Sequence, residues 1–257
     1  MGLLSGKRAL VVGVANKRSI AWGIARSFAE EGAELALTYQ HERFRENLER
    51  LVPELPGGAL MLPLDVSDDA SLVALRENLG QQWPQVDIVV HSVAFARTED
   101  LQSRFVDVPR EGYAVAQDVS AYSLVALTRA VLPLMRAAGG GSVLTMTYLG
   151  GERVMPYYNV MGVAKAALES AMRYLAWDCG GDNVRVNAIS AGPLRTLASS
   201  AVKAATALRD APEHTPLKRN IALEDVGRAA VFLSSDWAQN ITGQVLFVDA
   251  GFHIMGV

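Results

Sequence analysis

The chain has 257 residues, of which half are hydrophobic and a fifth are charged. Its formal net charge is only -3, so it lacks the concentrated positive charge that binding to a nucleic-acid backbone or an anionic membrane requires. The single cysteine, Cys179, excludes an internal disulfide and predicts a packed thiol, and no two of the four histidines have the spacing of a metal-binding pair. We therefore expect neither a nucleic-acid partner nor a metal site.

The sequence also lacks the marks of export or membrane insertion. A strand is predicted from Arg8 onward, which leaves no room for the regions of a signal peptide. Each apolar stretch is interrupted before the ~20 residues that span a bilayer. We expect a soluble, cytoplasmic protein with no membrane partner.

Seven short runs rich in β-branched residues predict strands, and longer segments of helical periodicity separate them. Strands that alternate with helices indicate parallel pairing, and right-handed crossovers then give a doubly wound α/β sheet of the Rossmann type with helices on both faces. No glycine-serine or proline-rich linker divides the chain, so we expect a single domain over residues 1–257. The predicted strands are Arg8–Val12, Glu34–Tyr39, Ala59–Leu64, Val86–His91, Ser142–Met146, Val184–Ile189 and Val245–Val248, and the predicted helices are Ile20–Glu31, Asp69–Gln82, Arg110–Ala138, Tyr158–Cys179 and Leu223–Ser234.

The turn after the first predicted strand has the composition of a nucleotide-binding loop. Gly13 begins this turn, and Ser19 and Ile20 open the helix that follows. A nucleotide pyrophosphate needs close backbone approach and exposed helix N–H groups, and this arrangement supplies both. The spacing differs from the regular G-x-G-x-x-G, so a plain turn in which Ser19 caps the helix is an equally good interpretation of these residues alone.

The ends of the second and third predicted strands strengthen the nucleotide-binding interpretation, because the carboxyl ends of parallel strands share one edge of the sheet. Asp65 and Val66 close the third strand, where the Asp65 carboxylate can accept from an adenine amino group or help to start the next helix. Gln40 follows the second strand, where NADPH enzymes carry clustered cations for the 2′-phosphate. NADH is therefore favoured, and Arg43 is the main reason to keep NADPH in view.

The segment from Thr145 to Lys165, TMTYLGGERVMPYYNVMGVAK, carries the most specific pattern in the chain. It resembles the signature of the bacterial enoyl-acyl-carrier-protein reductases, in which six residues separate a tyrosine from a lysine. The ketoreductases and alcohol dehydrogenases of the same short-chain dehydrogenase/reductase superfamily have three residues there. Tyr158 and Lys165 match the longer spacing, and Met161 stands where the shorter motif has its tyrosine.

Helix geometry makes this pair chemically sensible. Seven residues advance a helix by roughly 10.5 Å and return within about 20° of the starting direction, so Tyr158 and Lys165 would share a face. Tyr157 would point elsewhere, and we assign it to packing. Hydride addition to the β-carbon of an enoyl thioester leaves an enolate, and the Tyr158 phenol is the candidate donor to its oxygen. A Lys165 ammonium nearby would favour the tyrosinate and would donate to the cofactor ribose.

The resemblance covers essentially the whole chain and implies further roles. Tyr148 matches a second tyrosine of the family, for which a catalytic role and a core role are both open. Val93 is expected near the nicotinamide and Ala96 near the substrate thioester, with ordinary packing as the alternative for both. Leu194, Thr196 and Ala198 are expected around the nicotinamide carboxamide. The resemblance also implies NADH as cofactor, an enoyl chain on acyl carrier protein as substrate, and a homotetramer.

The least regular stretch, residues 191–217, is predicted to form a mobile flap over the site, because Gly192-Pro193, Pro212 and Pro216 interrupt it. Lys203 and Arg209 in this flap can meet an acidic carrier protein or simply face solvent. Two other functions stay in view: a carbonyl reductase or alcohol dehydrogenase of the same superfamily, and a dinucleotide-binding protein without catalytic activity.

Overall fold

The computed structural model describes residues 2–194 and 212–256. One parallel sheet contains seven strands in the order β3-β2-β1-β4-β5-β6-β7, which confirms the predicted doubly wound architecture. The strand order reverses between β1 and β4, and open α/β sheets bind ligands beyond the carboxyl ends of the strands at such a point. The strands are β1 Arg8–Val12, β2 Glu34–Tyr39, β3 Leu60–Pro63, β4 Ile88–His91, β5 Gly141–Thr147, β6 Val184–Ala191 and β7 Val245–Val248.

Helices cover both faces of this sheet. Along β1, Ala9 and Val11 enter the hydrophobic core on one face, whereas Leu10 and Val12 enter the core on the other. This alternation follows from the two-residue period of a strand, and burial on both sides explains why the strands are apolar throughout. The helices of the described residues are α1 Ile20–Glu30, α2 Glu42–Leu51, α3 Asp69–Gln82, α4 Thr98–Gln102, α5 Arg110–Gln117, α6 Ser123–Ala137, α7 Asn159–Asp178 and α8 Leu223–Ser234.

Two of these helices were not predicted from the sequence. Helix α2 has only Leu48 and Leu51 buried among charged residues, so its apolar stripe is too narrow to stand out as a helical period. Helix α4 has five residues and therefore shows hardly more than one turn of any pattern.

The predicted helix Arg110–Ala138 is interrupted by a π-helical segment at Asp118–Tyr122, between α5 and α6. Counted through this segment, Arg110–Ala137 runs for 28 residues and is long and apolar enough to cross a membrane by length and composition alone. The prediction concerned uninterrupted apolar stretches, and Asp118 and Arg129 interrupt this one. A core helix passes the same test, and half of its most apolar window is buried inside the fold.

Candidate active site

Six groups of predicted site residues follow directly on the carboxyl ends of six neighbouring strands. In spatial order across the sheet they are Asp65 and Val66 after β3, Gln40 after β2, Gly13 after β1, Val93 and Ala96 after β4, Tyr148 after β5, and Leu194 after β6. Helix α1 begins at Ile20 beside this edge, and α7 begins directly after Tyr158. Residues that are far apart in the sequence therefore lie along one rim of the sheet.

The turn at Gly13 can only be made by glycine. Its φ of 108° lies in the left-handed region, and a Cβ at this position would fall 2.1 Å from the carbonyl oxygen of Ser92 at the end of β4. The turn therefore lies directly against the neighbouring strand end. That close approach is what a dinucleotide-binding turn needs.

The Ser19 side chain holds this turn together, although Ser19 also stands at the N-cap position of α1. Its hydroxyl accepts from the N–H groups of Ala15 and Asn16 at 3.2 and 3.1 Å and donates to the Asn16 carbonyl, whereas it makes no capping bond to α1. The first N–H groups of a helix have no partner within the helix. In α1 the N–H groups of Trp22 and Gly23 already donate to the Ser19 carbonyl, so those of Ile20 and Ala21 are the ones available for an anion at the positive end of the helix dipole.

Gln40 and Asp65 meet across the ends of β2 and β3. The Gln40 amide donates to Asp65 Oδ2 at 3.0 Å, and Asp65 Oδ1 accepts from the N–H and hydroxyl of Ser67 at 2.9 and 2.6 Å. Partial burial acts to raise the pKa of Asp65, but the hydrogen bonds from Ser67 and Gln40 outweigh it and leave that pKa below its ordinary value. Asp65 is thus a fixed, ionised acceptor, while helix α3 is capped by Asp68.

Tyr158 lies just before the first residue of α7, between Tyr148 and Gly150. The two tyrosine rings meet edge to face with centroids 5.0 Å apart, and a Cβ at Gly150 would fall 2.4 Å from the Tyr158 ring. Burial raises the pKa of Tyr158 well above its ordinary value, and the neighbouring Tyr148 and Glu169 raise it further. The lowering of the Tyr158 pKa expected from Lys165 is therefore not found: the phenol keeps its proton at neutral pH and can donate it.

Lys165 is buried, with 5 % of its surface exposed, and its Nζ donates to the carbonyl of Met146 on β5 at 2.7 Å. Burial lowers the pKa of Lys165 to about 8, although Glu169 one turn further along α7 opposes this shift. The Glu169 carboxyl is itself buried, which raises its pKa, and it accepts from the Thr147 hydroxyl at 2.6 Å. Lys165 is therefore a desolvated ammonium anchored to β5, and not a surface lysine.

The site also contains the buried imidazole of His91. His91 Nδ1 lies 2.9 Å from the Thr145 hydroxyl and Nε2 lies 2.8 Å from the Ser123 hydroxyl. Because Ser123 donates its proton to the Val119 carbonyl at 2.7 Å, it must accept from His91 Nε2–H, so Nδ1 accepts from Thr145. Burial and the nearby Lys165 lower the pKa of His91 to about 3, so the ring is neutral.

The π-helical segment fixes the loop that carries Val93 and Ala96. The Ser120 hydroxyl accepts from the Phe95 N–H at 2.9 Å and donates to the Phe95 carbonyl at 3.0 Å. Both backbone groups of Phe95 are thus held by one buried side chain on the interrupted helix, and π-helical turns occur often at functional sites.

Some predicted residues behave differently from expectation or cannot be placed. Thr196, Ala198, Lys203 and Arg209 lie outside the described residues, as does most of the predicted flap at 191–217. Tyr157 is 53 % exposed and does not pack, since its φ of 63° turns it outward before α7. Val93, Val66, Leu194 and Ala96 are partly buried against core clusters, which is compatible with packing as well as with ligand contact. Cys179 is buried, as predicted.

Several polar residues of the site were not singled out from the sequence, namely His91, Ser120, Ser123, Thr147 and Glu169. Apart from the Val119 carbonyl bonded by Ser123, their partners are 22 to 54 residues away in the chain, so local spacing could not reveal them. A polar residue within an otherwise apolar strand, such as His91 in Ile88–His91, is the sequence signal that could have identified some of them. Within residues 2–194 and 212–256, no group of three potential metal ligands was found.

The chain matches the family model described as enoyl-(acyl carrier protein) reductase over residues 13–253. It is 49 % identical over 261 residues to an enoyl-acyl-carrier-protein reductase (NADH) of Aquifex aeolicus, with 100 % of this chain and 95 % of the relative covered. A solved Bacillus cereus enoyl-acyl-carrier-protein reductase with NADP+ and an indole naphthyridinone is 49 % identical and superposes with a TM-score of 0.97, with both chains covered completely. The corresponding Anaplasma phagocytophilum enzyme, solved with NAD, is 43 % identical with a TM-score of 0.95, and 100 % of this chain and 97 % of the other are covered.

Proposed function

Because the chain belongs to the enoyl-(acyl carrier protein) reductase family, we propose that it reduces the carbon–carbon double bond of trans-2-enoyl chains on acyl carrier protein, with NADH as the reductant. The observation that carries this proposal is the protonated, partly buried Tyr158 phenol at the carboxyl edge of the sheet, with the buried Lys165 seven positions later in the chain. The proposed place of action is the cytoplasm, in fatty-acid elongation.

The residues at the rim fit a dinucleotide. Gly13 allows the close backbone approach, the first N–H groups of α1 suit the pyrophosphate, and the ionised Asp65 suits the adenine amino group. Gln40 stands where a 2′-phosphate would need a cation, which favours NADH over NADPH. When bound, NADH supplies the hydride that reduces the β-carbon of the enoyl thioester.

Tyr158 has the central role in this mechanism. Reduction at the β-carbon moves negative charge onto the thioester oxygen, and a phenol aimed at that oxygen stabilises the charge as it develops. The raised pKa suits this role, because the group must carry its proton when the charge appears. Tyr148 braces the Tyr158 ring from the side, which is the role we assign to it.

Lys165 is proposed to hold the cofactor ribose. One of its three N–H groups is used on the Met146 carbonyl, which leaves two donors for ribose hydroxyls. Val93, Leu194, Thr196 and Ala198 are proposed to surround the nicotinamide, and Ala96 to lie beside the thioester.

The test compares Tyr158→Phe with Tyr157→Phe, a neighbouring exposed tyrosine that serves as the matched control. NADH oxidation is followed with crotonyl-coenzyme A and with longer enoyl thioesters. Tyr158→Phe should lower kcat by about 10²- to 10³-fold, the cost of removing one oxyanion donor, while NADH binding is unchanged. Tyr157→Phe should behave like the wild type. Full activity of Tyr158→Phe would refute the assignment.

The alternative of a carbonyl reductase is tested in the same assay. Ketone reduction without enoyl reduction would replace the proposed function, and tight NADH binding with no turnover of any enoyl thioester would point to a non-catalytic binder. The six-residue separation of Tyr158 and Lys165 favours the enoyl reductase over both.

We also propose a homotetramer. Large aromatic side chains are exposed on α7, where Tyr174 is 72 % and Trp177 is 84 % exposed, on the same helix that carries Lys165. Apolar surface of this kind is typical of an interface between copies. Light scattering should give four times the mass of the chain, and Trp177→Glu should lower the assembled fraction; a monodisperse monomer would exclude the tetramer.

A further inference from the structure

Asn159, the first residue of α7, joins that helix to the short helix α4. Its side-chain amide donates to the carbonyl of Asp100 at 2.6 Å and to the carbonyl of Ser103 at 2.9 Å. Asp100 lies in the last turn of α4 and Ser103 is its C-cap, and the Asp100 carbonyl also accepts from the Ser103 hydroxyl at 3.3 Å. We call these two hydrogen bonds the α4–α7 clamp. Both hydrogens of the amide are used in it.

The backbone on both sides of Tyr158 has an unusual conformation. Tyr157 has a φ of 63° and Asn159 a φ of 42°, so two non-glycine residues in the left-handed region flank Tyr158. This region is sparsely populated and persists where the surroundings enforce it, although asparagine adopts it more readily than most residues. The direction in which Tyr158 leaves the backbone therefore depends on what holds Asn159 in place.

Helix α4 has little stability of its own, because it contains five residues. It is held from below by a small apolar cluster in which Leu101 meets Val160 and Met161 of α7, with Tyr158 and Ala96 packed at its edge. This cluster places the proposed enolate donor and the proposed thioester contact in one unit. The position of α4 therefore affects both of them.

The buried side chain of Asp100 destabilises the observed position of α4. The Asp100 side chain is buried, its Oδ2 has no hydrogen-bond partner, and it lies against Gly112 of α5, where a Cβ would fall 2.0 Å from that oxygen. A buried oxygen without a hydrogen-bond partner is destabilising. The Arg97–Glu111 ion pair beside α4 is exposed and contributes little. The α4–α7 clamp is thus the directional contact that offsets the buried carboxyl group.

We propose that Asn159 is a positioning residue for the enoyl reduction: through the α4–α7 clamp it fixes the substrate-side segment 97–104 relative to Tyr158, and so sets the approach of the enoyl thioester to the phenol. This rests on the proposed function. When the clamp is absent, the exposed side of α4 gives Asp100 access to water, and the segment moves away from Tyr158. The cofactor residues on β1, β2 and β3 are not part of the clamp and keep their geometry.

Two substitutions distinguish the effect of the Asn159 side chain from the effect of its backbone conformation. Asn159→Gly keeps the left-handed conformation without strain and removes the amide, and Asn159→Asp keeps the shape but sets a carboxylate oxygen against two carbonyl oxygens. Asn183→Gly is the matched control: Asn183 has a φ of 58° and its amide donates to the Gly139 carbonyl at 3.0 Å, before β6 at the opposite edge of the sheet.

Each variant is compared with the wild type for kcat and KM of crotonyl-coenzyme A and of a longer enoyl thioester, and for the Kd of NADH. Asn159→Gly should lower kcat/KM for the thioester by on the order of 10- to 100-fold, as misplacement of a reacting group by about 1 Å does. Asn159→Asp should lower it further. The Kd of NADH should stay within about twofold of the wild-type value in both, and Asn183→Gly should keep wild-type kinetics.

Hydrogen exchange of the backbone N–H groups in 97–104 gives a readout that does not need turnover. Exchange should accelerate in both Asn159 variants and stay at the wild-type rate in Asn183→Gly. An active wild type with unchanged kinetics in Asn159→Gly, or unchanged exchange in 97–104, would overturn the positioning role. An equal loss of NADH affinity and of kcat/KM would overturn it as well, because that pattern indicates general destabilisation. An inactive wild type would instead refute the proposed function, and the exchange experiment would still decide whether the clamp holds the segment.

Discussion

The buried His91 makes a measurable prediction about stability in acid. Its pKa is about 3 in the folded protein, because burial disfavours the charged ring, compared with an ordinary value of 6.5. Between these two values the unfolded chain binds a proton that the folded chain does not, so stability falls as the pH is lowered from about 6.5 toward 3. Each unit of difference is worth about 1.4 kcal/mol.

From pH 7 to pH 5, this group alone should therefore lower the free energy of unfolding by about 2 kcal/mol. His91→Gln removes the titration and keeps a side chain that can donate and accept. We compare the change in unfolding free energy between the two pH values, not its absolute level, so that any packing defect of the variant cancels. Urea unfolding at one fixed protein concentration gives both numbers, since assembly makes stability concentration-dependent.

The wild type should lose about 2 kcal/mol more than His91→Gln over this interval. His214→Gln, at an exposed histidine, is the control for replacing a histidine by glutamine elsewhere in the chain. If His91→Gln and the wild type lose the same amount, the ring is not held neutral, and the hydrogen-bond directions from Thr145 and toward Ser123 would have to be revised.

Three further predictions follow from the same geometry. The Lys165 pKa of about 8 predicts that kcat/KM for NADH falls above pH 8 as the ammonium is lost. Lys165→Arg should move this fall in the pH profile to higher pH. If the fall stays at the same pH in that variant, it belongs to another group. Gly13→Ala should cost at least about 2 kcal/mol of stability and weaken NADH binding, because its Cβ would meet a backbone carbonyl. Gly57→Ala is the control, since Gly57 also has a positive φ but lies in open space, and NADH binding should be unchanged. Equal effects on NADH binding would exclude a specific role for the first turn. Arg43→Ala should raise the KM for NADPH several-fold with that for NADH unchanged, and equal effects on both cofactors would show that Arg43 does not read the 2′-phosphate.

The strands were predictable because parallel strands buried on both faces are apolar throughout. Arg8–Val12, Glu34–Tyr39 and Val245–Val248 agree with the structure to the residue, and the other four differ only at their ends. Helix α2 was missed because exposed helices can be almost entirely polar. The π-helical segment was missed because it lies inside an otherwise regular helical period and depends on tertiary contacts of Ser120 and Ser123.

The central pair of the candidate site was also predictable, because its two residues are close in the sequence. Tyr158 and Lys165 are seven positions apart on or beside one helix, so their relation is local and can be read from spacing. The protonation states could not be read in that way. The Lys165 ammonium bonds to a carbonyl of β5 and does not lower the pKa of Tyr158, whose burial depends on Tyr148 and Gly150.

The position of β1 inside the sheet has a consequence for synthesis on the ribosome. β1 pairs with β2 on one side and with β4 on the other, so the strand made first lacks its second neighbour until residue 91 has been made. β6 and β7 join last, with Ala191 paired to Val248. The nascent chain must therefore keep apolar strand edges apart from other chains for most of its translation, until β7 completes the sheet.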